Sequence, residues 1–115
     1  MIMDVDLGLE VRLLSSARAV IAARGRMNAM TAPLMKGRIK ELIDAGRTEI
    51  VCDLREVSFV DSSGLSALVS GLKATREQGG FLKVAGVNEQ VARIFKLTML
   101  DRVFEMYASA DAALA

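Results

Sequence analysis

The strongest constraint on how this chain can fold is an apolar segment that passes almost directly into an amphipathic helical pattern. Residues 57–60 read Val-Ser-Phe-Val, which is typical of a strand, and an acid, two serines and a glycine follow them. Apolar residues then recur with the i, i+3, i+4, i+7 spacing of one helix face, at Leu65, Leu68, Val69 and Leu72. This junction predicts a helix that begins at or beside Ser62 and ends near Gly79 and Gly80.

The first part of the chain predicts a hairpin followed by a helix. Apolar and polar residues alternate over residues 5–13, and a turn at Ser15-Ser16 joins this strand to an apolar run at residues 19–23, which Gly25 ends. The helix has Thr31 as its N-cap, Pro33 in its first turn and Gly46 as its C-cap. Its apolar stripe is Met35, Ile39, Leu42 and Ile43, and its solvated face carries Lys36, Arg38, Lys40 and Glu41.

The second part continues the alternation of strands and helices. Residues 48–54 are nearly all apolar, as expected of a strand covered on both faces, and residues 81–85 predict the next strand. Asn88 begins a helix with Val91, Ile94 and Phe95 on one face, residues 103–106 predict a last short strand, and Ser109 caps a terminal helix that ends at Ala115. The order predicts a single α/β domain over residues 1–115, with a mixed, mostly parallel sheet of four to five strands and about four helices.

Composition excludes several classes of function. The chain has no histidine, so Ser-His-Asp and Cys-His catalytic arrangements are impossible and the commonest zinc ligand is missing. A net charge of +1, four phenylalanines, one tyrosine and no tryptophan favour neither a basic face nor a stacking platform for nucleic acid. We therefore expect a protein that is not an enzyme, uses no metal or cofactor and binds no nucleic acid.

The expected location is the cytoplasm. Cys52 is the single cysteine and lies in an apolar run, so we expect it to be a buried core residue in a reducing compartment. The first residues do not follow the pattern of a signal peptide, and no apolar stretch is long enough to predict insertion into a membrane.

Ser62 is the candidate functional residue. At the start of a helix, unpaired backbone N–H groups and the positive end of the helix dipole favour an anion. A phosphate on Ser62 would add close to two negative charges without melting the helix. The alternative is an ordinary structural cap, because Asp and Ser are both favoured at helix N-termini.

The sequence Asp61-Ser62-Ser63-Gly64-Leu65 after an apolar strand resembles the signature of the anti-sigma-factor antagonists, bacterial proteins built on the STAS domain. Residues 91–100 are similar to the later helix of that family and the turn after it, and the order of elements fits over nearly the whole chain. The resemblance implies a STAS-type fold and a non-enzymatic partner switch. In this family an anti-sigma factor that is itself a serine kinase phosphorylates the first serine, here Ser62, and a serine phosphatase removes the phosphate.

The resemblance also implies a partner-binding surface, formed by this motif and by the loop before the first helix. Its predicted residues are Gly25, Arg26, Met27, Asn28, Thr31, Asp61, Ser62, Ser63, Gly64 and Leu65. Gly64 is expected to let a partner approach closely, and Met27 and Met30 are expected to adapt to the contact. Asp61 is expected to hold the loop by accepting backbone N–H bonds, the alternative being that it helps to position a metal-bound nucleotide brought by the kinase.

The loop departs from the family in its charge. The family pattern Gly-Glu-Leu-Asp is replaced by Gly25-Arg26-Met27-Asn28, so both acids are absent. We expect this loop to repel a phosphate on Ser62 less and to pair with it in part, so that phosphorylation releases the partner less completely. The departure also supports an alternative, in which the chain is a STAS docking subunit of a larger sensory or transport assembly, without a phosphoswitch.

Overall fold

The computed structural model describes residues 7–115 and arranges them around one sheet. The strands are Leu7–Leu13 (β1), Arg18–Met27 (β2), Glu49–Val60 (β3), Phe81–Ala85 (β4) and Met106–Tyr107 (β5). The helices are Ala32–Asp44 (α1), Ser62–Glu77 (α2), Glu89–Leu97 (α3) and Ala110–Leu114 (α4), with a short 3-10 helix at Leu100–Arg102. The sheet has five strands in the order β1-β2-β3-β4-β5, with β1 antiparallel and the others parallel, which confirms the predicted α/β class.

The hairpin is present, but its second strand is longer than predicted. β2 does not end at Gly25; it continues to Met27. Gly25 instead has a φ of +114° and lies beside a shift in the pairing with β3, so it bends the strand without terminating it. Of the predicted first strand, residues 5 and 6 lie outside the described residues.

The core has two unequal parts because the two faces of the sheet are covered differently. The larger cluster joins the sheet to α1, α2 and α3, and the predicted stripes of these helices supply it. The smaller cluster lies on the other face, where α4 covers part of the sheet with Ala110 and Ala113. Cys52 is fully buried, and burial raises the pKa of its thiol to about 12, so the prediction of a core cysteine is confirmed.

The predicted strand at residues 103–106 is wrong in its position. The 3-10 helix ends at Arg102, the chain turns at residues 103–105, and β5 contains only Met106 and Tyr107. Phe104 is buried because its ring packs edge-on against Phe95, with 5.7 Å between ring centroids. The sequence pattern predicted a strand because it contains Phe104, but this apolar residue is buried in a turn.

The position of the candidate site follows from the length of β3. The predicted strand at residues 48–54 and the apolar segment before the motif are one strand of 12 residues. β4 stops pairing with β3 at the register of Asp53 and Ala85, whereas β2 stays paired with β3 as far as Met27 and Val60. The ends of β2 and β3 therefore extend together past the rest of the sheet, and both lead into the candidate site.

Candidate functional site

The start of α2 is capped by Asp61, not by Ser62. The Asp61 carboxylate accepts hydrogen bonds from the backbone N–H groups of Ser63, at 2.8 Å, and Gly64, at 3.1 Å. These bonds agree with the loop-holding interpretation of Asp61. Ser62 is the first residue of the helix and is exposed to solvent, and within the described residues its hydroxyl makes no hydrogen bond. Asp61 thus caps the helix, and the Ser62 hydroxyl is not needed for capping.

The motif is attached to the end of β2 by close backbone contacts. Met27 pairs with Val60, and the N–H of Asp61 donates to the carbonyl oxygen of Met27 at 3.0 Å. A Cβ on Gly64 would lie 2.9 Å from both Cβ and the carbonyl oxygen of Met27. Gly64 therefore makes room for Met27 inside the protein. This differs from the expectation that its missing side chain admits a partner.

Thr31 is the N-cap residue of α1, as predicted, but its side chain makes no capping hydrogen bond to the helix and instead stabilises the loop before it. Its hydroxyl donates to the carbonyl oxygen of Arg26 at 2.6 Å and accepts the N–H of Asn28 at 2.9 Å. The side-chain oxygen of Asn28 in turn accepts the N–H groups of Met30 and Thr31. A buried threonine and a turn-forming asparagine thus fix the course of the loop into the helix.

Arg26 is held by an aromatic ring that the sequence analysis did not single out. Its guanidinium carbon lies 4.7 Å from the centroid of the Phe59 ring, on the neighbouring strand. Such cation–π contacts restrain an exposed arginine without neutralising its charge. The signal available in the sequence was the apolar Phe59 two residues before Asp61, but its pairing with Arg26 depends on the shifted register of β2 and β3.

A groove of about 810 Å³ lies between the starts of α1 and α2, and Ser62 is in its wall. Its lining residues are Ala29, Ala32, Pro33, Lys36, Ser62, Ser63, Ser66, Ala67 and Ser70. Three of the serines, Ser62, Ser66 and Ser70, recur every four residues along α2, so their hydroxyls follow one helix face beside the apolar stripe. Among the described residues of this lining, Lys36 is the charged one. The sequence predicted Lys36 as solvated surface and gave no sign that it shares a groove with Ser62.

The ten predicted contact residues divide into a surface and its support. Met27, Thr31, Gly64 and Leu65 are buried, so these residues can influence a partner only by positioning the exposed ones. The exposed or half-buried members form what we call the contact surface: Gly25, Arg26, Asn28, Asp61, Ser62 and Ser63. Met30, which was expected to adapt to a partner, is 73% exposed beside it. The two predicted segments are therefore brought together.

Within residues 7–115 no group of three or more His, Cys, Asp or Glu side chains is placed to hold a metal ion. No helix in this part of the chain has the length and apolar character needed to cross a membrane.

Comparison with known proteins gives the same family as the motif. The model of the STAS domain matches residues 10–113. The anti-sigma-B factor antagonist of Bacillus subtilis is 30% identical over 76% of this chain and 79% of its own length. A crystal structure of an anti-sigma factor antagonist from Mycobacterium paratuberculosis superposes with a TM-score of 0.85 and 25% identity, covering 98% of this chain and 96% of the other.

More distant structures share the fold alone. The Bacillus cell fate determinant SpoIIAA in its phosphorylated form has a TM-score of 0.74 at 17% identity, covering 93% of this chain and 96% of the other. A sulfate transporter family protein from Wolinella succinogenes has a TM-score of 0.76, also at 17% identity, covering 90% and 86%. Taken with the matched relatives and the geometry of the motif, the comparisons show that the chain belongs to the STAS domain family of anti-sigma-factor antagonists.

Proposed function

We propose that this protein is a phosphorylation-controlled partner switch that acts in the cytoplasm. In its unphosphorylated form, the contact surface binds an anti-sigma factor that is also a serine kinase, and the sigma factor is released. The kinase then uses its own ATP to phosphorylate Ser62, the complex separates, and a serine phosphatase restores the first state. The observation that carries this proposal is the exposed Ser62 hydroxyl at the first position of α2, beside a cap that Asp61 already supplies.

The geometry lets Ser62 gain charge without loss of the fold. The first turn of a helix tolerates an anion because the helix dipole places partial positive charge there. The hydrogen bonds of Asp61 to Ser63 and Gly64 do not involve the Ser62 side chain, so modification leaves them in place. A dianion enclosed in an interface without a cationic partner costs several kcal/mol, and each ~1.4 kcal/mol is tenfold in affinity. Local charge is thus sufficient to separate the partners.

Two positively charged side chains affect how completely a phosphate on Ser62 would separate the protein from its partner. Arg26 replaces an acid of the family pattern, and its guanidinium is held over Phe59. Lys36 lines the groove that contains Ser62, so it is the cation that shares a wall with the modified hydroxyl. We propose that Lys36 attracts the phosphate and keeps it beside α1. The phosphorylated protein would then retain more affinity for its partner than a relative with acids in the loop.

The experiment that tests the switch is phosphopeptide mass spectrometry on the protein isolated from its own cells. We expect phosphate on Ser62, absent from Ser62→Ala and retained in the matched variant Ser63→Ala. Pull-down with Ser62→Ala and Ser62→Asp completes the test, because the first should keep a kinase partner and the second should lose it. A Ser62 that stays unmodified through growth and stress would contradict the proposal.

A second candidate is the docking subunit without a switch. The loop Gly25-Arg26-Met27-Asn28 favours it, because both family acids are missing and Arg26 is restrained against the protein's own surface. In this case a stable partner would be recovered equally with Ser62→Ala and Ser62→Asp. The same pull-down therefore separates the two candidates.

A further inference from the structure

β1 is an edge strand of the described sheet and carries few of the features that usually protect an edge. It has seven residues, its register with β2 is continuous from Leu7 to Leu13, and the strand contains no proline, lysine or bulge. An edge of this kind presents a row of backbone donors and acceptors that can pair with another strand. The outer side of β1 is therefore open to pairing with a strand of another molecule.

The backbone groups that face outward can be assigned from the hairpin. The N–H of Leu14 donates to the carbonyl oxygen of Arg18 at 2.9 Å, which makes these two residues a hydrogen-bonded pair. Hydrogen-bonded pairs alternate along an antiparallel ladder. The even-numbered residues of β1 therefore bond to β2, and the N–H and C=O groups of Leu9, Val11 and Leu13 point away from the sheet.

The side chains of the edge are apolar on one face and charged on the other. On the helix-covered face, Leu9 and Val11 are half-buried, but Leu13 is 56% exposed. A groove of about 290 Å³ beside them is lined by Leu7, Leu9, Pro33, Leu34, Gly37, Arg38 and Glu41, and Leu34 is itself 43% exposed. The other face of the strand presents Glu10 and Arg12 to solvent. The edge thus offers an apolar surface, and on its reverse it offers one acid and one base.

We propose that β1 pairs antiparallel with β1 of a second copy of this chain, about a two-fold axis at Val11. This register places Glu10 opposite the partner's Arg12, and by symmetry Arg12 opposite the partner's Glu10. A two-fold axis at Glu10 or at Arg12 would place like charges opposite each other, which is unfavourable. Charge thus selects one register among the neighbouring possibilities.

The same register also brings the apolar side chains of the two β1 strands together on the helix-covered face. It sets Leu13 of each copy opposite Leu9 of the other, at the mouth of the groove beside α1. The outward N–H and C=O groups of Leu9, Val11 and Leu13 then find partners, and the sheet continues across the two copies. The proposal does not rest on phosphorylation, because β1 contributes no residue to the contact surface.

Sedimentation analysis over a range of protein concentrations tests the charge pairing. We expect the native chain to form dimers, and Glu10→Arg or Arg12→Glu to weaken dimerisation by about tenfold, because two attractive pairs become repulsive. The double variant E10R/R12E restores opposite charges and should recover the dimer. Lys73→Glu, an exposed charge reversal on α2, is the control. A native chain that stays monomeric, or a double variant that stays as weak as the single ones, would overturn the proposal.

Cysteine cross-linking tests the register. The Cα atoms of a hydrogen-bonded antiparallel pair are about 5.5 Å apart, within the range of a disulfide, so Val11→Cys should cross-link to itself. Leu13→Cys should not, since the Cα atoms of the two copies of this residue would be about 14 Å apart, but a mixture of Leu13→Cys and Leu9→Cys should cross-link. Cys52 is fully buried and does not interfere. Cross-linking by Leu13→Cys alone, or none by Val11→Cys, would contradict the register.

Discussion

Replacement of Gly64 by alanine tests the close packing that joins α2 to β2. The new Cβ would lie 2.9 Å from Cβ and the carbonyl oxygen of Met27, and 3.0 Å from Cγ1 of Val60. The Met27 carbonyl cannot move freely because it accepts the N–H of Asp61 at 3.0 Å. Relief therefore requires the start of α2 to shift away from β2, and overpacking of this kind costs about 1–3 kcal/mol. Alanine returns at most ~1 kcal/mol through its helix propensity.

We therefore expect Gly64→Ala to lower the free energy of unfolding by about 1–2 kcal/mol. Two other helical glycines provide matched controls. A Cβ on Gly37 meets no atom within 4 Å, so Gly37→Ala should raise the free energy of unfolding by about 0.5–1 kcal/mol. A Cβ on Gly71 would meet Cδ1 of Leu82 and Cδ1 and Cγ2 of Ile39 at 2.9–3.1 Å; these side-chain methyl groups yield more easily than backbone, so Gly71→Ala should fall between the other two.

The assay is urea denaturation followed by far-UV circular dichroism, because the chain has no tryptophan for fluorescence. The expected order of stability is Gly37→Ala, then Gly71→Ala, then Gly64→Ala. A Gly64→Ala protein as stable as Gly37→Ala would show that the contact with Met27 is not rigid. The inference that Gly64 serves internal packing would then be refuted.

Three further predictions concern single side chains. Asp61→Ala should lower the free energy of unfolding by about 1 kcal/mol, while Asp61→Asn, which still caps the helix, should change it by only a few tenths; equal thermal melting of both variants would contradict the capping role. Lys36→Glu should make release by a phosphate on Ser62 more complete by about fivefold in partner affinity, corresponding to ~1 kcal/mol, and unchanged affinities would exclude Lys36 as the attracting cation. Cys52 has a raised pKa of about 12 when folded, so the unfolded thiol loses its proton first and stability should fall between about pH 9 and 12. Cys52→Val should lose less stability over that interval, and identical pH profiles would refute the assignment.

The sequence predicted the parts of the fold whose patterns are local and regular. The stripe on α2 and the strand at Phe81–Ala85 follow their periods closely, and the structure confirms both. Asn88 and Ser109 also cap their helices, with side-chain oxygens that accept the N–H groups of Val91 and Ala112. In each case the residues that determine the element are neighbours in the sequence.

The errors lie where contacts distant in sequence decide the structure. Gly25 was predicted to end β2 because glycine is typical of a break, but parallel pairing with β3 carries the strand past it. Phe104 was assigned to a strand, whereas its packing against Phe95 fixes a turn. At the candidate site, the family resemblance grouped two segments that the structure also brings together, but it could not show that Met27 and Thr31 are buried or that Lys36 shares a groove with Ser62. Burial and groove lining depend on which face of each element meets its neighbour.

The cap at Asp61 has a consequence for how easily the proposed modification could be undone. The first turn of α2 offers few backbone donors to a phosphate, because the Asp61 carboxylate already occupies the N–H groups of Ser63 and Gly64, and its carbonyl oxygen accepts that of Leu65. A phosphate on Ser62 would therefore not be sequestered in a ring of amides. It would stand on the surface, within reach of a hydrolytic enzyme, so we expect the proposed phosphate to be removed readily by a phosphatase.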